Sequence, residues 1–189
     1  MRKTSLFGIA ALIIIVLTGA VYFVLPRHSE AYHEHANFAV YLDGFRVNFS
    51  HEKYFTTEEN EVGLREFAHM HEPDSGVIHL HKEGATLGMF FESIGMKLNS
   101  TCFVIEEKSF CNSQGKTLKI FVNGNPANSG VVMRDLDRIL VTFGSSDMEN
   151  QLDSVPSNAC IYSEKCDAPA GFIDNEAIVC KSSETSCSV

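Results

Sequence analysis

Polar and apolar positions alternate through HEHANFAVYLDGFRVNFS, residues 33–50, on both sides of Asp43-Gly44. Asp-Gly between alternating runs is the strongest short-range signal for a two-residue hairpin turn. Pairing Leu42 with Phe45 sets Val40 opposite Val47 and Phe38 opposite Phe49, so these six apolar side chains share one face and predict the core side. His33, His35, Asn37, Ala39 and Tyr41 stand at the other parity. Residues 51–64 carry charges without a period and predict a loop, with at most a helical turn.

A second hairpin follows in FAHMHEPDSGVIHLH, residues 67–81. Glu-Pro-Asp-Ser-Gly is a turn sequence, and Phe67 to His71 and Val77 to His81 are its strands. A five-residue loop places His69 opposite His79 and His71 opposite Val77; a loop longer or shorter by one residue shifts that register. Thr86 then serves as N-cap for a helix in which Leu87, Phe90, Phe91 and Ile94 form one face and Gly95 the left-handed stop. CFVIEEKSFC, LKIFVNG and ILVTFG predict further short strands, with a turn at Asn123-Gly124. Strands, one covering helix, then strands predict an α+β fold with a β-grasp-like mixed sheet.

The two ends of the chain differ from this middle. Leu6 to Pro26 carries no charge, a length that suits a bilayer span of ~20 residues better than the shorter core of a cleaved signal peptide. Arg2 and Lys3 favour a cytoplasmic N-terminus, although Arg27 weakens the asymmetry. The expectation is an uncleaved signal anchor over 1–27, a long cleavable signal being the alternative, and a single-pass protein of the cell membrane with its C-terminal part extracytoplasmic. Residues 28–145 then form the His-rich domain, and 146–189 a polar linker and Cys-rich tail. The six cysteines Cys102, Cys111, Cys160, Cys166, Cys180 and Cys187 all follow the span, an even count that suits disulfides outside the cell. Cys102 and Cys111 flank a hairpin and pair most simply with each other; the four in the tail allow three connectivities. There is no Cys-x-x-Cys, so a thioredoxin-like redox site lacks its motif. Asn48-Phe-Ser and Asn99-Ser-Thr match the glycosylation acceptor pattern.

All 24 Asp and Glu lie after residue 27, against 12 of the 15 Lys and Arg. An acidic domain repels nucleic acid and attracts cations. Six of the eight histidines form the His-x-His pairs His33/His35, His69/His71 and His79/His81. Residues two apart on a strand share a face, and in these strands the core residues Ala36, Phe38, Ile78 and Leu80 occupy the other parity. In the hairpin register, His69, His71, His79 and His81 form one patch with cross-strand neighbours ~5 Å apart at Cβ, within reach of a shared metal at ~2.0–2.1 Å from each nitrogen. These four are the first-choice ligands and His33 and His35 the additional ones. Imidazole ligands outside the cell suit zinc or copper, with Cu²⁺ at the top of the affinity order. A pH-sensitive patch that charges below ~6.5 is the bland alternative.

Glu34 and Glu72 adjoin the pairs and are candidates for a further ligand or a general base, though regular alternation turns Glu34, like Met70, toward the core. His28 and His51 fall outside the pattern. The His-Glu-x-x-His signature is absent, and no Ser-His-Asp or Cys-His pattern stands out. A metal-dependent enzyme built on the same histidines, and an interaction module stabilised by metal and disulfides, are the alternative readings.

The ordered set HEHANFAVYLDG, VIHLHKEGATLGMFFESIGMKLNSTCF, LKIFVNG, DLDRILVTFG and ACIYSEKC resembles a group of functionally uncharacterised, His-rich, single-span-anchored exported proteins of archaea and small-genome bacteria. The resemblance covers most of the chain after Pro26 and implies a β-grasp-like domain with a Cys-rich tail. The expectation is a membrane-anchored, extracytoplasmic domain for capture, delivery or sensing of zinc or copper. Its expected partners are the metal ion, the membrane through its N-terminal helix, and a transporter or exported enzyme that exchanges metal with it.

Overall fold

The structure is a computed structural model, and it describes residues 32–57, 59–145 and 149–172. The expected span from Leu6 to Pro26, with His28, Cys180 and Cys187, lies outside these residues. Among the described residues no helix is long and apolar enough to cross a membrane.

The fold is α+β and is built on one mixed sheet. Strand β1 (Glu34–Leu42) turns through Asp43-Gly44 into the short β2 (Phe45–Arg46). Asp43 and Gly44 adopt φ of 51° and 87°, the positive values a two-residue turn of this type needs, and Leu42 pairs with Phe45 as the sequence predicts. Strands β3 (Ala68–His69) and β4 (Val77–Leu80) form the second hairpin, with His69 opposite His79. Helix α1 (Leu87–Ser93) starts at Thr86, whose hydroxyl accepts from Met89 N at 3.3 Å, and its last turn gives way to Gly95 at φ 81°.

Strands β5 (Lys97–Leu98), β6 (Cys102–Ile105) and β7 (Lys108–Cys111) make a separate three-stranded sheet. Cys102 and Cys111 sit directly opposite in it and form a disulfide. Strands β8 (Thr117–Val122), β9 (Asn125–Ala127) and β10 (Arg138–Gly144) return to the main sheet, whose order is β3-β4-β1-β10-β8-β9, with β2 also on β1. β1 and β10 pair in parallel at its centre. Ile139, Val141 and Phe143 face α1 while Leu140 joins a small second cluster, so β10 is buried on both faces, as its nearly continuous apolar sequence requires. The main core holds Phe38, Phe90, Phe91 and Phe103, with Phe38 packed on Phe49 and Phe90 at ring separations of 5.0 and 5.2 Å.

The structure differs from the sequence expectation at two strands. In β2, Phe45, placed on the core face by alternation, pairs with Leu42 but is 78% exposed. The edge of β1 that the hairpin would need is taken by β4, which pairs with Glu34 to Asn37 and extends through the bond from Phe38 N to Gly76 O. β2 therefore stops after two residues, although Phe49 still reaches the core. Strand β9 escapes the alternation signal because it contains Pro126, which a sheet tolerates at an edge, where β9 lies.

The second face of the sheet is covered by residues 149–162. A 3₁₀ segment (Glu149–Ser154) and the short helix α2 (Ala159–Tyr162) pack there, and Val155 joins Ala39, Phe121 and Leu140 in the second cluster. Arg138 fastens this segment by donating to Leu152 O and Val155 O at 2.8 and 2.9 Å. Cys160 and Cys166 are bonded to each other around the turn that follows α2.

Candidate metal centre

The strand register gathers the histidines. His35 on β1 pairs with His79 on β4, and His79 pairs with His69 on β3, so these three stand in one row across three neighbouring strands. The side chains alternate as expected: Ala36, Phe38, Ile78 and Leu80 point into the main core, and the histidines point to the opposite face. One step along, the rings of His33 and His81 stack at 4.8 Å between centroids. His71 completes the group at 4.6 Å from His69 and 5.0 Å from His79.

Ligand distances divide the six into two triads. His33, His35 and His79 form one and His69, His71 and His81 the other, each with candidate ligand atoms within 4.8 Å of one another. The hairpin patch of His69, His71, His79 and His81 favoured by the sequence is thus split, with His79 grouped with the β1 pair. The cause is the lateral pairing of β1 with β4. His35, His69 and His79 are each 1% exposed, His71 and His81 are half-buried, and His33 is exposed.

In each triad one ring is oriented from behind. His69 Nδ1 lies 2.6 Å from the Arg65 carbonyl, which can only accept, so Nδ1 carries the proton and Nε2 presents a lone pair. That Nε2 is 2.9 Å from His71 Nε2. Two nitrogens each ~2.05 Å from one cation at a right angle are separated by about the same distance, so a metal fits where the proton between these rings now sits. In the other triad His35 Nδ1 is 2.9 Å from Ser163 Oγ, and Ser163 donates in turn to Asp135 Oδ1 at 2.5 Å. With its hydroxyl proton directed at Asp135, Ser163 accepts from His35 Nδ1–H and leaves Nε2 as the ligand atom. Metal-binding histidines are commonly oriented this way, through a carbonyl or a carboxylate relay. Tyr162 packs on His35 and His79 at 5.5 and 5.3 Å.

Electrostatics agree with a neutral, ligand-ready His69. Burial first, then the neighbouring His81 and His71, push His69 down to about 2, against a smaller opposing effect of its bond to Arg65. Burial would raise Asp135, but Lys165, Ser163 and the His35 N–H together hold it below its ordinary range. The low His69 value carries a pH prediction. The unfolded chain takes up a proton at this position near pH ~6.5 and the folded chain does not, so stability is fully present above that pH and is lost as pH falls below it. In metal-free protein the stability advantage over His69→Asn should shrink by about 2 kcal/mol between pH 7 and 5, read by urea unfolding at each pH. A constant difference would contradict a neutral buried His69.

The remaining sequence candidates have other duties. Glu34 accepts from Tyr32 Oη at 2.7 Å and Asp135 N at 2.9 Å, Met70 is fully buried in the core, and His51 accepts from Lys53 N in a 3₁₀ turn. Glu72 is exposed. Arg65, Asp135, Tyr162 and Ser163 were not legible as site residues. The one available hint was the position of Tyr162-Ser163 between two cysteines. Ser163→Ala should weaken metal binding at the His33/His35/His79 triad about 10- to 100-fold and spare the other, measured by competition with a chromogenic chelator. Equal affinity in the variant would remove Ser163 from the site.

The structure thus defines an α+β protein with two adjacent histidine triads compatible with metal binding. No family model matches the chain, and no curated protein or solved structure is similar to it.

Proposed function

We propose that this chain is a metal-binding protein that holds zinc or copper on the histidine face of its sheet. The carrying observation is that six of its eight histidines meet there in two triads. Chance clustering of imidazoles offers no gain in stability, and burying His69 in a form that resists protonation has a cost in acid. A shared cation accounts for both, because neutral imidazole is the form that binds metal.

The frame is best described as β-grasp-like. The parallel pairing of β1 with β10 and the packing of α1 on one face support that description. The uncharged stretch from Leu6 to Pro26 and the two disulfides support a membrane-anchored domain in an oxidising, extracytoplasmic compartment. There the tether keeps the site at the membrane surface, where a transporter or an exported enzyme exchanges metal with it. Capture, delivery or sensing are the roles that fit.

Calorimetric titration of the full chain in detergent with zinc and then copper tests the reading. Saturable binding is expected in the wild type and its loss in a variant with all six paired histidines changed to Ala, with circular dichroism checking that the variant is folded. Equal binding by a folded variant would place the metal elsewhere and end the proposal.

A further inference from the structure

Resting on the metal-binding reading, we propose that the histidine face holds two metal ions, one per triad, as a two-metal centre that takes a small anion between them. The row formed by His35, His79 and His69 spans two strand-to-strand steps, roughly 10 Å at the backbone. Nitrogens bound to one cation lie no more than about 4.2 Å apart. Grouped by the reach of their ligand atoms, the ends of the row fall in different triads, and the six rings divide without remainder into His33, His35, His79 and His69, His71, His81.

The two triads touch each other. His33 stacks on His81 with centroids 4.8 Å apart, and His71 meets His79 at 5.0 Å. Each triad is also one ligand short of a four-coordinate ion. Imidazole binds a metal as an uncharged ligand, and among the described residues no carboxylate joins either triad. Two acids beside the first triad are engaged elsewhere: Glu34 with Tyr32 and Asp135 N, and Asp135 with Ser163 and Lys165. Two divalent cations side by side on a face whose central row is buried repel strongly, and nothing in the ligand set offsets their charge. A small anion such as hydroxide bound to both ions supplies the missing ligand to each and reduces that repulsion. Exposed His33 and half-buried His71 and His81 leave the centre an approach from solvent.

The test loads the full chain with copper(II), removes excess by desalting, and counts copper and unpaired spins, then titrates azide as the probe anion. Two coppers per chain, a spin count well below the copper count, and saturation at one azide per two coppers are expected. His33→Ala and His71→Ala, substitutions at the less buried positions, should each reduce the count toward one. One copper per chain, lost in either variant, would overturn the two-metal centre while leaving metal binding intact. Two coppers with full spin count and one azide each would overturn the bridging anion. No copper in the wild type would remove the metal-binding reading itself. The wild-type counts need no variant, so a misfolded substitution does not spare the proposal.

Discussion

Zinc or copper at a thousand times its dissociation constant should stabilise the folded chain by about 4 kcal/mol. The unfolded chain presents the same imidazoles, but His35 and His79 are 44 positions apart and converge only when β1 pairs with β4. Binding energy is therefore linked to folding, and thermal unfolding should move upward with each increment of metal and return with a chelator. The six-histidine variant should show no shift. A rise of the same size in that variant would mean that acidic surface groups, rather than the histidine face, account for the effect.

The second large effect is expected at Asn37, which lies on the histidine face of β1 and is 1% exposed. Its Nδ2 donates to Gly76 O at 3.1 Å and Asn158 Oδ1 at 2.8 Å, and its Oδ1 accepts from Ala159 N at 2.8 Å. One side chain thus holds the start of α2 to the sheet, and α2 carries Tyr162 and Ser163 to the first triad. Asn37→Ala deletes three buried hydrogen bonds and leaves their partners wanting, at about 1 kcal/mol each and about 3 kcal/mol together. The unfolding midpoint should fall by roughly 10 °C. Metal affinity at the His33/His35/His79 triad should fall with it, because Ser163 loses its place behind His35. A change in midpoint without any change in affinity would show that α2 stabilises the sheet and has no part in the site.

Local codes in the chain were readable. Asp43-Gly44 specified its turn, Thr86 and Gly95 bounded the helix, and five loop residues fixed His69 opposite His79. Each depends on residues close in sequence. What escaped depends on partners far apart. Nothing near His35 announces that His79 will be its neighbour, and Ser163 is 128 positions away from the ring it orients. For that reason a patch confined to one hairpin looked like the natural ligand set, and the triads that cross from β1 to β4 did not. The same limit hid the second core: residues 149–172 look polar as a stretch, yet Val155 is buried because the sheet offers it an apolar surface around Leu140. Phe45 shows the opposite failure: it keeps the alternation and pairs with Leu42, yet stands exposed beside the turn.

X-ray absorption at the metal edge of the loaded, full-length protein tests the central claim most directly. An all-nitrogen shell at ~2.0–2.1 Å with the outer-shell scattering of imidazole rings, about three rings per ion, is the predicted result. A shell dominated by oxygen or sulfur would contradict it and assign the metal to carboxylates or cysteines instead of the paired histidines.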